Sequence, residues 1–332
     1  MRHKKQIRPV LFSLALASIA ILPHRTGADM VLTAAGQAQG LSLTTFATGF
    51  PSSGGVGPLG IAFPAGGGVL VSDQLGNVRR FATDTDGQNA ASAPIGQNYG
   101  GNNSAGLARV GNSIYMAQYG LGQVVQINDN GTFNQLIVTG VSGAVGLAVN
   151  PLNNHLFLST RGNNQIFDID PIAKTKTLFK TLANPDGLSV SPDGSTLYAA
   201  ETGTGHILGY NTTTGAQVFD SGFVGDIDGT AAGAGSFSNL LFANLTDGRL
   251  IQVNLTTKAQ TVIATGGSRG DFVTVDATNN TLLITQTDRI LRLNGAVFVP
   301  EPGSILLLGL GLTGLIGAAR WSAARRPSAP AE

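Results

Sequence analysis

Short apolar runs recur at a nearly constant spacing along the body of the chain. Six segments share one order of elements: a Gly-containing start, an apolar strand, a polar turn, a second apolar strand and a third strand ending near Asn or Asp. They start at Leu59, Ala105, Val145, Asp186, Asp228 and Asp271, which are 46, 40, 41, 42 and 43 residues apart. A spacing of about 40 residues with only strand-like runs predicts a β-propeller with one four-stranded blade per repeat.

The individual runs have the composition of strands. The second runs are short and rich in residues that favour β-structure, for example His155–Leu158 and Thr196–Ala199, which predicts burial between neighbouring blades. The third runs, such as Gln123–Ile127, alternate polar and apolar residues, as is typical of strands with one wetter face. We therefore predict an all-β fold over residues 36–298, a six-bladed propeller with four-stranded antiparallel blades.

The sixth repeat is too short to supply a complete blade. After its third strand the chain soon reaches Pro300, which leaves little length for an outer strand. An unassigned strand-like stretch, Leu41–Phe50, precedes the first repeat. We expect this N-terminal strand to complete the sixth blade and close the ring, because an open ring would expose a strand edge that promotes aggregation.

The first 35 residues have the features of an export signal. Basic residues precede the apolar run Val10–Leu22, which is too short for a stable transmembrane helix. We expect residues 1–35 to be a signal peptide and leader, cleaved after Ala28 or Ala35 because small residues suit the signal peptidase. An uncleaved membrane anchor is the alternative.

Residues 299–332 combine a Pro-Glu-Pro element, the apolar run Gly303–Ala319 and an arginine cluster. The run has about the minimum length for a transmembrane helix, and the arginines favour a cytoplasmic C-terminus. This combination closely resembles the PEP-CTERM sorting signal. The residues that carry the resemblance are Pro300, Glu301, Pro302, Arg320, Arg325 and Arg326.

The PEP-CTERM resemblance implies a route and a destination. It implies a Gram-negative-type bacterial envelope, an intermediate anchored in the inner membrane by the C-terminal helix, and processing by an exosortase-type enzyme. The product is then expected at the cell surface or in the extracellular matrix, with an exopolysaccharide or an envelope protein as a partner. A plain C-terminal membrane anchor is the alternative, since short apolar helices alone are common.

Composition and charge exclude some functions. Cysteine is absent, so neither disulfides nor a thiol nucleophile can contribute. Residues 36–300 contain 12 Lys and Arg against 16 Asp and Glu, which gives a net charge of about −4. Nucleic acid is therefore not an expected partner, because phosphate binding requires clustered cations.

The repeats resemble the six-bladed NHL and SMP-30/gluconolactonase-like propellers. The resemblance spans about residues 41–298 and is clearest over Asn184–Tyr198. For hydrolytic members it implies a divalent metal, often calcium, held in the central tunnel by Glu, Asn and Asp side chains. The position that matches one of these ligands is Asp186. Propellers of this type include both binding proteins and hydrolases, so the resemblance is stronger evidence for the fold than for an activity.

The repeat register places Asp186, Asp228 and Asp271 at equivalent positions of three consecutive blades. Because the innermost strands surround the channel, we expect these carboxylates to converge at one rim, where they would suit Ca²⁺. Asp186 or Asp228 would then be a candidate catalytic base beside the metal. The alternative is that each aspartate caps its own turn through local hydrogen bonds.

Other ionisable residues offer weaker signals. Glu201 ends the second strand of its blade, where it is expected either at the same rim as Asp186 or in a local hydrogen bond. His155 and His206 lack a suitably spaced histidine partner, which favours packing or surface roles.

The other half of the predicted rim departs from the hydrolase pattern. Leu59, Ala105 and Val145 cannot bind a metal, and no glutamate stands at the first of these positions. The favoured function is therefore a non-catalytic binding or extracellular-matrix-associated protein, whose propeller face binds a glycan, a peptide or an envelope partner. A calcium-dependent, lactonase-like hydrolase with its site in the central tunnel is the alternative.

Overall fold

The described part of the chain is a closed ring of six β-sheets. The computed structural model describes residues 29–295, and these residues form the predicted all-β, six-bladed propeller with four-stranded blades. The predicted signal peptide, the predicted C-terminal helix and the sorting residues from Pro300 to Arg326 lie outside the described residues. Within residues 29–295, no helix has the length and apolar character needed to cross a membrane.

The elements are numbered in chain order, and each blade is given from its innermost strand outwards. The N-terminal segment contains β1 (Val31–Leu32), α1 (Ala34–Ala38) and β2 (Ser42–Thr48). Blade one contains β3 (Pro58–Ala62), β4 (Val69–Asp73), β5 (Asn77–Phe81) and β7 (Ile95–Asn98), with β6 (Gln88–Asn89) in the connection between β5 and β7. Blade two contains β8 (Leu107–Val110), β9 (Ser113–Gln118), β10 (Gln123–Ile127) and β11 (Phe133–Thr139).

The remaining blades follow the same order. Blade three contains β12 (Ala144–Asn150), β13 (His155–Thr160), β14 (Gln165–Asp170) and β15 (Thr175–Thr181). Blade four contains β16 (Pro185–Val190), β17 (Thr196–Glu201), β18 (His206–Asn211) and β19 (Gln217–Phe223). Blade five contains β20 (Ile227–Ala232), β21 (Leu240–Leu245), β22 (Leu250–Asn254) and β23 (Gln260–Thr265), with a 3₁₀ turn at Gly235–Phe237. Blade six contains β24 (Val273–Asp276), β25 (Thr281–Thr285), β26 (Arg289–Asn294) and the N-terminal β2.

Strand β2 completes blade six, as predicted from the stretch Leu41–Phe50. It pairs antiparallel with β26, from Ser42 opposite Asn294 to Thr48 opposite Arg289. The last blade therefore combines three strands from late in the chain with one strand from its beginning. This pairing covers the outer edge of β26 and closes the ring.

Two further short pairings extend the closure. Strand β1 pairs antiparallel with β23 at the outer edge of blade five, and β6 runs parallel to β2 at the outer edge of blade six. Met30 is buried in the core between blades five and six, and Asp29 forms an ion pair with Arg289. Residues 29–35 therefore pack on the propeller, although they precede the boundary at residue 36 that we expected from the sequence.

A buried arginine links blade one to blade six. Arg292 on β26 is only 3% exposed and forms ion pairs with Asp276, with Asp84 at 2.6 Å and with Asp86 at 2.8 Å. Asp84 and Asp86 lie in the connection between β5 and β7, so these ion pairs hold that connection against blade six. The Arg292 guanidinium also lies 5.5 Å from the ring centroid of Phe46 on β2. Losing one partner of such a buried ion-pair cluster typically costs about 3–5 kcal/mol, because a charge is left uncompensated.

The apolar core of the described residues is divided between neighbouring blades. Phe157 on β13 shares a cluster with Leu197 on β17, and Phe242 on β21 shares another with Leu282 on β25. All four side chains are fully buried, as expected for second strands that lie between neighbours. Burial of each such side chain contributes about 1.5–3 kcal/mol, so the contacts between blades stabilise the ring as a whole.

The innermost strands approach one another so closely that most of them require glycine near their start. The amide of Gly106 donates a hydrogen bond to the carbonyl oxygen of Val145 in the next blade, at 2.9 Å. A Cβ atom at Gly106 would lie 2.5 Å from that oxygen, well inside van der Waals contact. The glycines at the equivalent positions have similarly short distances to the backbone of the next blade: Gly60, Gly146, Gly187 and Gly229.

Replacing Gly106 with alanine is expected to destabilise the propeller by about 1–3 kcal/mol, the usual range for overpacking. The added methyl group would meet the backbone of blade three, which cannot move without separating two innermost strands. Gly101→Ala is the matched control, because a Cβ atom at Gly101 meets nothing within 4 Å. The control should change the free energy of unfolding by less than about 0.5 kcal/mol. Urea denaturation followed by circular dichroism measures both variants, and equal stabilities would contradict the close-approach explanation.

Candidate functional site

The start positions of the innermost strands surround one mouth of the central channel. A cavity of about 250 Å³ lies at this mouth, and the start positions of blades one, two and three that line it carry apolar side chains. Aspartates from blades four and six line the opposite side. Five of the six start positions line the cavity: Leu59, Ala105, Val145, Asp186 and Asp271. The apolar half-rim expected from the sequence is therefore part of the same cavity as the acidic half.

Arg269 joins two of the three predicted site aspartates. Its Nη2 atom lies 2.5 Å from Oδ2 of Asp228 and 3.0 Å from Oδ1 of Asp271. Its Nε atom donates a further hydrogen bond to Oδ1 of Asp271 at 3.1 Å. Asp228 lies on β20 and Asp271 just before β24, so one guanidinium holds together side chains from blades five and six.

Arg161 holds the third aspartate. Its Nη1 atom lies 2.9 Å from Oδ2 of Asp186, and because Arg161 follows β13, this ion pair crosses from blade three to blade four. The backbone of Asp186 is fixed as well, since its carbonyl oxygen accepts a hydrogen bond from the Ser159 hydroxyl at 2.5 Å. That hydroxyl in turn accepts a hydrogen bond from the Gly146 amide at 2.8 Å. The position of Asp186 therefore depends on the contact between two innermost strands.

The aspartates and the arginines of this cluster differ in exposure. The side chains of Asp186, Asp228 and Asp271 are 6%, 4% and 6% exposed, whereas those of Arg161 and Arg269 are each 33% exposed. The two arginines also line the cavity. A molecule that enters the cavity therefore meets the guanidinium groups more readily than the carboxylates.

Burial makes the carboxyl groups of the cluster weaker acids than usual. Burial raises the pKa of Asp271 to about 7, with the neighbouring Asp228 carboxylate adding to the effect and Arg269 opposing it. Burial and the charge of Asp228 likewise raise the pKa of Asp186, and burial raises the pKa of Asp228. The Oδ2 atom of Asp271 is buried and has no hydrogen-bond partner among the described residues. A proton on Asp271 would remove the cost of an unpaired buried charge.

The cluster does not have the arrangement expected for a calcium site. Calcium requires six to eight oxygen ligands around one point. Here the carboxylates of Asp186, Asp228 and Asp271 are directed to the guanidinium groups of Arg161 and Arg269. Within residues 29–295, no group of three or more His, Cys, Asp or Glu side chains is placed to hold a metal ion. The donor set therefore fits an ion-paired cluster better than the metal site expected from the sequence.

The arginines are the site residues that sequence reasoning missed. Asp186, Asp228 and Asp271 are brought together as their equivalent repeat positions predicted, but Arg161 and Arg269 stand in connecting segments outside the strand pattern. Their positions in the sequence could have indicated them. Arg161 directly follows the second strand of its blade, and Arg269 lies two residues before the start position Asp271. Both places are at the end of the blade that faces the cavity.

The other ionisable candidates have local roles. Glu201 accepts hydrogen bonds from the Ala183 amide at 3.0 Å and from the Thr204 hydroxyl at 2.5 Å, which corresponds to the local hydrogen-bond alternative. His155 pairs with Asp168 at 2.7 Å across neighbouring strands. His206 forms a similar pair with Asp220 at 2.9 Å. These three residues do not line the cavity at the channel mouth.

The tail of the chain matches a known sorting signal. Residues 298–326 match the PEP-CTERM protein-sorting motif, which confirms the resemblance drawn from the Pro-Glu-Pro element and the arginine cluster. The motif implies export and surface sorting in bacteria, together with processing by an exosortase-type enzyme. It covers a small part of the chain and describes a destination, so it leaves the function of the propeller open.

The propeller itself is similar to solved structures with diverse functions. A gluconolactonase from Xanthomonas campestris superposes with a TM-score of 0.62 and 18% sequence identity, over 80% of this chain and 96% of that one. An auxiliary nutrient binding protein from Bacteroides ovatus superposes with a TM-score of 0.60 and 12% sequence identity, over 76% of each chain. A chain of a nidogen–laminin complex superposes with a TM-score of 0.54 and 14% sequence identity, over 66% of this chain and 95% of that one. No curated protein sequence matches this chain.

These comparisons define the class of the molecule. The chain carries a PEP-CTERM motif behind a six-bladed propeller that is structurally similar to gluconolactonase and SMP-30-like proteins. At these identities the similarity shows the fold alone, because one propeller architecture supports both binding proteins and enzymes. The function therefore depends on the residues around the channel mouth.

The raised pKa of Asp271 predicts a definite pH dependence of stability. The pKa of Asp271 is about 7 in the folded protein, against 3.8 for an unperturbed aspartate. Between these pH values the folded state therefore binds more protons than the unfolded state. Stability should therefore fall as the pH rises from about 4 to 7. Asp271→Asn should make this slope shallower, since asparagine cannot ionise.

The matched control for this measurement is Asp193→Asn. Hydrogen bonds from Ser191 and Ser195 lower the pKa of Asp193. The contribution of Asp193 to stability is therefore lost only as the pH falls below the usual pKa of an aspartate. Chemical denaturation at a series of pH values measures the slopes. If Asp271→Asn and Asp193→Asn had the same effect between pH 4 and 7, the buried carboxyl would not be the origin of the slope.

Proposed function

We propose that this protein is an exported, surface-sorted propeller that acts as a non-catalytic binding protein, with its ligand in the cavity at the channel mouth. The observation that carries the proposal is the pairing of all three site aspartates with Arg161 and Arg269. A metal-dependent hydrolase needs these carboxylates free to hold an ion or to accept a proton. Here each of the three carboxylates already has a guanidinium partner within the protein.

The shape of the cavity supports a binding role. It is concave and combines apolar side chains with a small number of positioned polar groups, as ligand sites usually do. Gln74, Asn102 and Tyr119 add neutral hydrogen-bonding groups to the lining. The partners that we propose are an exopolysaccharide component or an envelope protein, consistent with the surface destination that the sorting motif implies.

The proposed route begins with a signal peptide and ends with processing of the tail. We propose residues 1–35 as signal and leader, 36–298 as the propeller and 299–332 as the sorting segment, with an intermediate anchored in the inner membrane of a Gram-negative-type bacterium. Of the two cleavage positions, Ala28 is favoured over Ala35, because Met30 and β1 pack on blades five and six. The sorted product would reside at the cell surface or in the extracellular matrix.

The alternative is a calcium-dependent, lactonase-like hydrolase. The observation in its favour is the pKa of Asp271 near neutrality beside an open cavity, since an acid–base catalyst works best near the operating pH. In this alternative Asp186 and Asp228 would have to leave their arginine partners to bind a metal or to act as a base. Structural similarity to a gluconolactonase raises the question but does not transfer the activity.

Calcium calorimetry and a lactone-hydrolysis assay on the purified propeller separate the two functions. We expect no calcium binding, no hydrolysis of gluconolactone above the spontaneous rate, and no calcium-dependent change in the melting temperature. Asp186→Asn is the matched variant, because it removes the carboxylate charge at nearly constant size. Stoichiometric calcium binding that is lost in Asp186→Asn would overturn the non-catalytic proposal in favour of the hydrolase.

The sorting proposal predicts the C-terminal peptide of the surface protein. We expect mass spectrometry of surface-exposed material to lack the segment from Arg320 to Glu332, and replacement of Pro300, Glu301 and Pro302 by alanine to leave this segment attached. An intact arginine cluster in wild-type surface protein would instead indicate a plain membrane anchor. The same preparation reports the mature N-terminus, for which we expect Asp29.

A further inference from the structure

Two partly exposed arginines, Arg161 and Arg269, line the cavity at the channel mouth. Arg161 uses Nη1 for Asp186 and Nε for Asn184, and Arg269 uses Nε and Nη2 for its two aspartates. The Nη2 group of Arg161 and the Nη1 group of Arg269 take no part in these contacts. Both arginines are partly exposed and line the same cavity, so these donors are available to a ligand.

Buried carboxylates hold both arginines in fixed orientations. An arginine that is already ion-paired with a buried carboxylate loses little conformational freedom when it binds a ligand, because its side chain is already ordered. The aspartate side chains are at most 6% exposed, so a ligand at the cavity surface meets mainly the guanidinium groups that they position. The arrangement has the features of a prepared site for a planar anion.

The local charge also permits an anion, although three aspartates surround two arginines. The buried Oδ2 atom of Asp271 has no partner among the described residues, and a buried carboxyl without a partner favours the protonated form. The raised pKa values of Asp271 and Asp186 agree with this. With one of these carboxyls protonated, the charges of the cluster cancel, and the exposed face is that of the arginines.

We propose that the cavity binds a small ligand through a carboxylate group, which accepts hydrogen bonds from Arg161 and Arg269 while the rest of the ligand contacts Leu59, Ala105 and Val145. This inference rests on the proposed binding function and names the chemical class of its ligand. Carboxylates match the planar donor arrangement of guanidinium groups, and such charge-assisted hydrogen bonds are roughly twice as strong as neutral ones.

The size of the cavity limits what the ligand can be. Its volume of about 250 Å³ lies below the roughly 300–1,000 Å³ typical of sites for drug-sized molecules. A single sugar acid, free or at the end of a polysaccharide, or a short-chain carboxylic acid would fill it. These two sources share the carboxylate and differ in the body that contacts the apolar side.

Two matched pairs of probes test the proposal by calorimetry. Glucuronate is compared with glucose, and hexanoate with hexan-1-ol, so that each pair differs in the carboxylate. We expect the acid to bind at least about tenfold more tightly than its neutral counterpart in one pair, and the identity of that pair distinguishes a sugar acid from an aliphatic acid. Equal binding, or absence of binding, by both members of both pairs would overturn the carboxylate assignment.

Variants then locate the site on the protein. Arg161→Gln should weaken binding of the preferred acid by at least about tenfold and leave binding of its neutral counterpart unchanged. Arg109→Gln is the matched control, because Arg109 is an exposed arginine that lines a different cavity, at the other end of the channel. Equal loss of affinity in both variants would contradict a site at Arg161.

The outcomes for the ligand class and for the overall function are separable. Melting temperatures of both variants are recorded first, and the wild-type probe comparison does not depend on any variant being folded. Failure of the carboxylate probes would leave the non-catalytic function standing with a different ligand. Calcium binding or lactone hydrolysis would instead remove that function.

Discussion

The close approach of neighbouring innermost strands determines how the rest of the propeller is built. At each glycine near a strand start, backbone meets backbone at distances that no side chain would allow. Hydroxyl groups of second strands add to this contact: Ser72 accepts a hydrogen bond from the Gly60 amide and donates one to the Ala105 carbonyl. The strand starts therefore form a narrow ring, and the side chains at these positions share one channel mouth. The proximity of the three aspartates follows from backbone geometry and does not require any attraction between them.

The propeller brings carboxylates close together at two separate places, and arginines pair with them at both. Arg292 is almost completely buried among Asp84, Asp86 and Asp276, which makes it a structural link between the first and last blades. Arg161 and Arg269 compensate the aspartates of the channel mouth but remain a third exposed. The Arg292 side chain is only 4% exposed, whereas the arginines of the second cluster line a cavity. This difference in exposure, more than the number of charges, distinguishes a stabilising ion-pair network from a candidate binding site.

The repeat pattern was sufficient to predict the blades, their order and the closing strand, because each of these depends on local periodicity and on the need to cover a strand edge. It was also sufficient to align Asp186, Asp228 and Asp271, since equivalent repeat positions become neighbours in a ring. It could not reveal Arg161 or Arg269, because residues in connecting segments have no period and meet the aspartates only after the ring closes. The calcium hypothesis counted the carboxylates without these cations. The packing of β1 and the Arg292 cluster were missed for the same reason, since they join segments far apart along the chain.

The closing strand has a consequence for the order of events during folding. Thr44 on β2 contacts Asn294 on the last strand, 250 positions later in the chain, a separation that makes this pairing entropically expensive and slow. On the export route proposed above, the N-terminal strand would emerge first, and its partner would leave the translocation channel last, immediately ahead of the tail. Until then blade six exposes an unpaired edge that is prone to aggregation or to capture by a second chain. A tail that retains the protein at the membrane during this interval would keep unfinished rings apart from one another, so that anchoring would assist folding as well as delivery.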